Sequence, residues 1–306
     1  MKIAKVSPSD KIAVALSRED PGTASIYHAM SADHLPLRKL RPWVCSIQDV
    51  IPLDLKAYTR FGIRTRINFA NARRADVVLT NCNYTADRIM KRLFVPAKKI
   101  VVAPLPVSAL FRQERLQEDD SPNADIRPYI LAMVDLRTPD PRKRYHWIGQ
   151  ISAALTARGH RFVVAGRGLD RMVFPGADLV EAPSDAQLRS LFVNAAAFYY
   201  PSAYEGQGLP PIEAMASGCP TLAYRNSSVQ EVVQGGGAVL DDPAPWQRQR
   251  LGSVLDQADV DEAVSTLVSW VHGGGPASES VRQSARRFSQ ENFREGLLEA
   301  YSLAAR

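Results

Sequence analysis

The chain has 306 residues, 45% hydrophobic and 23% charged, with a formal net charge of +6, enough length for one large or two ordinary domains with real cores. The positive charge admits acidic partners, but Lys and Arg are spread out, without the runs or interleaved aromatics of a nucleic-acid binder, so nucleic acid is set aside. Cys45, Cys82 and Cys219 are odd in number and lack C-x-x-C spacing, which fits a reducing cytoplasm, and neither a signal-type apolar segment nor a bilayer-length apolar run is evident.

From the beginning, KIAVAL, SIYHAM, WVCSIQDVIP, ADVVLTN and KIVVAPLP are short apolar runs. Amphipathic segments, among them 55–74 and 84–94, separate them. Strands alternating with helices imply a parallel sheet and an α/β fold for residues 1–118. Within 56–74, Lys56, Arg60, Arg64, Arg66, Arg73 and Arg74 alternate with Tyr58, Phe61, Ile63, Ile67 and Phe69. The spacing predicts a helix with an apolar face on the core and a basic face in solvent. The alternative is that the basic face rests on anionic lipid, as a peripheral membrane contact.

The acidic stretch EDDSPNAD lacks apolar periodicity, which places a linker at 119–125. RPYILAMVDL opens a second α/β unit over 126–285. WIGQISAALTARG is an amphipathic helix and HRFVVAGRG a strand, a βαβ arrangement. Arg142, Lys143 and Arg144 lie in the connection before that helix, Arg137 six residues before Lys143.

The stretch PSAYEGQGLPPIEAMASGCP, 201–220, carries Glu205 and Glu213 with seven residues between them. AAAFYYP before it reads as a buried strand. PPIEAMASG reads as a short helix, with proline in its first turn, an apolar stripe of Ile212, Met215 and Ala216, and Gly218 at its end. A strand, a glycine-bearing loop and a helix N-terminus together make an anion site, through free N–H groups and the positive end of the macrodipole. Carboxylates beside it suit a ligand that also carries hydroxyls. The ligand implied is a sugar attached to a phosphate.

Several features carry less. Gly235-Gly236-Gly237 ends a helix-like QEVVQ. Asp259-Val260-Asp261 has a D-x-D spacing but opens an amphipathic helix, where acids belong. Ser202 is not in a G-x-S-x-G context. The five histidines are scattered, so no metal site is expected. Phe288, Phe293, Leu297, Leu298 and Tyr301 fall at helical spacing near the C-terminus and predict core packing.

Residues 201–220 resemble the donor-binding signature of retaining GT-B glycosyltransferases, the family 4 (glycosyl transferases group 1) type, E-G-F-G-L-P-x-x-E-A-M-A-x-G-x-P. Every position fits except the aromatic, which is Gln207. The likeness runs over 184–243, and Lys143 falls at the family's lysine. VCSIQDVIPL and ADVVLTNCNYTADRI resemble the family's N-terminal domain, with Gln48 where a histidine is usual and Cys82 where a serine is usual. Its usual glycine-rich opening is not evident; only PGTAS at 21–25 could stand in.

The resemblance implies two Rossmann-like domains facing across a cleft, the N-terminal one shortened, and a final helix, 286–306, crossing back to it. It implies a retaining, metal-independent transfer of a sugar from a nucleoside-diphosphate sugar to an acceptor hydroxyl, lipid- or glycan-borne, with no cofactor. Glu213 would accept the ribose hydroxyls and Glu205 a hydroxyl of the donor sugar. The N–H groups of Gly208 and Leu209, with Lys143 and either Arg137 or Arg142, would stabilise the diphosphate. Gly166, Gly206 and Gln207 would line the donor site, Ser227 and Ser228 would touch diphosphate, and Gln48 would face the transfer. The alternative is a degenerate GT-B protein that binds donor or a partner without efficient transfer.

Overall fold

In a parallel sheet covered on both faces, both alternating sets of strand side chains are buried, so strands read as unbroken apolar runs. The computed structural model describes residues 12–15, 25–36, 38–112 and 128–306, and it divides into two units. Unit 1 is Met1–Pro106 with Phe288–Arg306, and unit 2 is Val107–Arg287. Residues 21–24 of the weak glycine-bearing opening and the expected linker 119–125 lie outside the described residues.

Unit 1 holds β1 (Ile12–Ala15), β2 (Ile26–Ala29), β3 (Trp43–Ser46), β4 (Val77–Thr80) and β5 (Ile100–Val102), all parallel and in sequence order across the sheet. Its helices are α1 (Ile51–Asp54), α2 (Gly62–Ala72) and α3 (Asn83–Leu93). The alternation sorts the side chains cleanly. Tyr27, Trp43, Cys45 and Val78 pack with Ile89 and Leu93 of α3. Ile26, Val44, Val77 and Leu79 pack with the last helix of the chain. Cys82, at the position where serine was the expected residue, caps α3: its Sγ accepts from Thr85 N at 3.3 Å.

Unit 2 holds β6 (Tyr129–Asp135), β7 (Arg161–Arg167), β8 (Asp178–Glu181), β9 (Ala195–Tyr200), β10 (Thr221–Tyr224) and β11 (Gly237–Leu240). Between and after them run α4 (Tyr145–Thr156), α5 (Asp185–Asn194), α6 (Leu209–Ala216), α7 (Val229–Val233), α8 (Gln257–Val271) and α9 (Ser278–Ala285). The sheet order is β11-β10-β9-β6-β7-β8, all parallel. The chain therefore moves outward from β6 to β8, then returns to the other side of β6 with β9. Strand β8 was not foreseen: DLVE is an edge strand with half-exposed or exposed positions and no apolar alternation to reveal it. Trp147, Ile151, Phe162, Phe174, Tyr199 and Leu267 fill the core between sheet and helices, each worth about 1.5–3 kcal/mol when buried.

Two expected details differ. Helix α8 begins before the D-x-D: Asp256 is its cap, accepting from Asp259 N at 2.9 Å, and Asp261 pairs with Arg158. On α10 (Gln290–Ala304), Phe293, Leu297 and Tyr301 face the unit 1 sheet, but Leu298, one residue around the helix, is 43% exposed. Gly296 lets α10 approach β5 closely, since a Cβ there would lie 2.6 Å from Ala103 Cβ. Tyr301 OH meets His28 Nδ1 at 2.9 Å, and His28 Nε2 meets Ser46 Oγ at 2.8 Å, a satisfied polar chain inside this layer. Among the described residues no helix is long and apolar enough to cross a membrane.

Candidate active site

Where neighbouring strands in an open parallel sheet send their connections to opposite sides, a crevice opens at their carboxyl ends. In unit 2 that reversal lies between β6 and β9. The segment leaving β6 carries Arg137, Arg142 and Lys143, and the segment leaving β9 carries Glu205 to Leu209. Two stretches about sixty residues apart in sequence are thus brought to one place.

The join is direct. Lys143 Nζ donates to Glu205 Oε1 at 2.5 Å and to Tyr200 OH at 3.3 Å. The same oxygen accepts from Ser202 Oγ at 2.5 Å and Tyr200 OH at 2.8 Å. Glu205 Oε2 receives no hydrogen bond among the described residues. Burial raises the Glu205 carboxyl, but the Lys143 charge and hydrogen bond, with Ser202 and Arg142, outweigh it and hold it below the usual carboxylate value. Burial, then the Glu205 charge, push the Tyr200 phenol well up, so it remains a donor. Lys143 and Tyr200 both line a cavity of about 460 Å³, with Gly166, Arg167, Asp185 and Pro210 also in its wall.

The turn that carries Glu205 is held from behind. Glu205 N donates to Ser227 Oγ at 3.1 Å, and Ser228 Oγ donates to Glu205 O at 3.0 Å. Ser227 Oγ donates to Asn226 Oδ1, and Asn226 Nδ2 donates to Asp242 Oδ2 at 2.9 Å. The second ligand of that carboxylate is Arg144, wholly buried, with Nη1 at 3.1 Å from Asp242 Oδ2 and the guanidinium 3.9 Å from the Trp147 ring centroid. Arg144 adopts φ 48 and ends the turn into α4, so Lys143 is fixed from one end of this relay and Glu205 from the other. The two serines expected at the diphosphate spend these hydroxyls on the turn instead.

The first turn of α6 has few donors to offer. Pro210 and Pro211 have no N–H, so the orphan donors at the start are those of Gly208 and Leu209, and neither is bonded among the described residues. Gly208 is the N-cap at φ 91, a conformation that an L side chain strains, although no atom lies within 3.8 Å of where its Cβ would be. Gly166 is glycine for the other reason: a Cβ there would sit 1.7 Å from Val134 O on the paired strand. Gln207, at the family's aromatic position, is buried beside Gly206.

Glu213, one turn into α6, is half-buried, and burial, then the Asp185 charge, push its carboxyl up to about 7. The arginines divide. Arg142 is turned back onto Asp140, with Nη2 to Oδ2 at 2.5 Å, and also reaches Tyr204 O. Arg137 is 56% exposed and paired with Asp135 at 2.9 Å. Arg167, which the sequence reading passed over, lines the cavity and is exposed, and its guanidinium has no hydrogen bond or ion pair among the described residues. Its signal was its place between the glycines of AGRG. Glu181 was also missed: it accepts from Gly168 N and Leu169 N, and those two bonds hold its carboxyl below the usual value.

Gln48 belongs to unit 1. It follows β3, lines a separate cavity of about 260 Å³ with Ser46 and Asp49, and keeps its Oε1 buried without a partner. Its own carbonyl accepts from Asn81 Nδ2 at 3.1 Å. Among the described residues no group of three His, Cys, Asp or Glu could hold a metal ion.

A model of the family Glycosyl transferases group 1 matches residues 127–269. The chain is 26% identical over 256 residues to the O-antigen chain mannosyltransferase RfbU of Salmonella typhimurium, covering 78% of this chain and 67% of that protein. It is 27% identical over 259 residues to the MMP alpha-(1->4)-mannosyltransferase of Mycolicibacterium hassiacum, covering 81% of this chain and 56% of the relative. It therefore spans about two thirds of the first relative and little more than half of the second. The lipopolysaccharide outer core galactosyltransferase WaaB, solved in its apo form, superposes with a TM-score of 0.65 at 16% identity, over 92% of this chain and 75% of that one. That likeness concerns the fold.

Proposed function

Because this chain belongs to the group 1 glycosyltransferases and has the GT-B fold, we propose that it moves a sugar from a nucleoside-diphosphate sugar to an acceptor hydroxyl, with retention and without a metal ion. The observation that carries the reading is the Lys143–Glu205 pair at the point where the unit 2 sheet reverses, with Lys143 in the wall of a 460 Å³ cavity. A charge pair held by Tyr200, Ser202 and the Arg144–Asp242 relay is preorganised, and preorganised charge is the usual main source of catalysis in group transfer.

In this reading the diphosphate lies on the N–H groups of Gly208 and Leu209, with Lys143 and Arg167 as its cations. Arg167 replaces Arg137 and Arg142 in that role, since those two are already spent on Asp135 and Asp140. Glu205 Oε2 accepts a hydroxyl of the donor sugar, while Oε1 stays with its protein donors. Glu213 accepts the ribose hydroxyls as a carboxylate. The bond from the anomeric carbon to the diphosphate breaks as the acceptor oxygen bonds to that carbon. The acceptor proton passes to the departing diphosphate oxygen, so no side-chain nucleophile is required. The mannosyltransferase relatives favour mannose as the sugar.

One observation favours a second reading, donor binding without efficient transfer. Gln48 stands where the family has a histidine, and glutamine cannot change charge near neutral pH. A thermal-shift panel of nucleotide sugars, followed by turnover in the presence of chelator, tests both. A donor present at 100 times its Kd should add about 2.7 kcal/mol of stability. Stabilisation with turnover supports the first reading, and stabilisation alone supports the second. No stabilisation by any nucleotide sugar refutes both.

A further inference from the structure

The chain has five histidines, and three of them are enclosed where they stand. His28 is buried between Tyr301 and Ser46, His146 Nε2 meets Ser253 O at 2.8 Å, and His34 keeps Nδ1 buried. The other two meet each other. The rings of His160 and His272 lie 5.7 Å apart between centroids, with 64° between their planes. His160 is half-buried and His272 exposed, and neither imidazole has a hydrogen bond or ion pair among the described residues. The donor site does not use them: His160 precedes β7, at the opposite end of that strand from Gly166 and Arg167.

The backbone holds the pair from both sides. Gly159, at φ 79, turns the chain out of α4, and His160 N donates to Leu155 O at 3.1 Å. His272 is the C-cap of α8, with its N–H on Val268 O and Ser269 O, and Gly273 follows at φ 88. Two helices thus end at one place, and the carbonyls and dipoles of their C-termini favour a cation there. The arginines flanking His160 do not oppose it. Arg158 is paired with Asp261 at 2.8 Å and Arg161 with Asp178 at 2.7 Å.

The spacing of the rings fits one ion between them. An imidazole nitrogen binds zinc at about 2.0–2.1 Å, which puts each ring centre about 3.2 Å from the metal, and two ring centres at a tetrahedral angle about 5.2 Å apart. The observed 5.7 Å exceeds this by about half an ångström, which small χ rotations within a rotamer well supply. Imidazole suits Zn²⁺, Ni²⁺ and Cu²⁺, while Mg²⁺ asks for oxygen ligands. We propose that His160 and His272 form a surface site for a divalent transition ion of the zinc and nickel type, with water in its remaining positions. The ion ties the end of α4 to the end of α8 and takes no part in sugar transfer. Thiols do not compete for it, since Cys45, Cys82 and Cys219 are all buried.

Calorimetric titration of the whole, untagged, metal-free protein with zinc, nickel and magnesium chlorides tests this. Zn²⁺ and Ni²⁺ should each bind at one ion per chain, and Mg²⁺ should not. His160→Ala and His272→Ala should each weaken Zn²⁺ about tenfold or more. Neither ring fills a core, so unfolding midpoints without metal should match the parent. Added Zn²⁺ should raise the thermal midpoint of the parent and leave that of the double variant unmoved. A reading on the parent alone does not depend on how any variant folds. Paramagnetic Ni²⁺ should broaden the ring-proton NMR signals of two of the five histidines before the other three. The proposal is overturned if neither Zn²⁺ nor Ni²⁺ binds, or if Mg²⁺ binds as tightly as Zn²⁺. It is overturned equally if either alanine variant keeps the parent's affinity, or if Ni²⁺ broadens one ring only.

Discussion

Glu213→Gln should stabilise the ligand-free protein, and by an amount that grows with pH. Burial and Asp185 raise the Glu213 carboxyl from 4.5 to about 7. Between those values the folded chain keeps a proton that the unfolded chain has released, so stability falls as pH rises through the window. Below the unfolded value nothing is lost, and above the folded value the loss is complete. At 1.36 kcal/mol per pKa unit the full cost is about 3 kcal/mol. Glutamine keeps the shape and cannot ionise. Urea unfolding of parent and variant should therefore differ by about 1 kcal/mol at pH 5 and by about 3 kcal/mol at pH 8. A pH-independent gap, or none, would show that the carboxylate is not held against its solvation as the structure implies. The same variant should bind the donor about 10- to 150-fold more weakly, having lost a charged acceptor for ribose. A residue that destabilises the empty site and is needed when the site is filled is what a ligand-binding role predicts.

Other expectations follow from the site and its supports. Lys143→Ala should lower turnover by about 100-fold or more, with a smaller effect on donor affinity, if the lysine acts mainly on the departing diphosphate; a steady-state comparison showing only a KM change would contradict that. Asp242→Ala leaves the wholly buried Arg144 unpaired and should cost about 3–5 kcal/mol by denaturant unfolding, whereas Asp242→Asn, which retains an acceptor, should cost less; equal losses would mean the charge pair is not what matters. Gln48→His should change the rate less than tenfold and add no ionisation near pH 6–7 to the pH–rate profile, and a large gain would identify the natural protein as a weakened transferase.

Much of this protein can be read along the line of the chain, because its strands and helices are coded locally. The apolar runs that became β2–β7 and β9 alternate over a two-residue period between two covered faces, and the proline-led start and glycine end of α6 are signals of a single turn. The density of the 201–220 motif pointed to the loop that leaves β9 for the same reason: glycine, proline and carboxylate spacings describe one loop. What the chain could not show was which charges would meet. Arg142, Lys143 and Arg144 are consecutive, yet one turns back to Asp140, one reaches Glu205 and one is buried against Asp242, 98 residues away. Likewise Ile63 and Ile67 looked like core residues and stand in solvent beside three arginines. Pairing energies depend on distance and burial, and these are set by the strand order and by helix rotation. Neither has a period or a motif in sequence, so the reversal between β6 and β9 chose the partners and tertiary packing alone decided them.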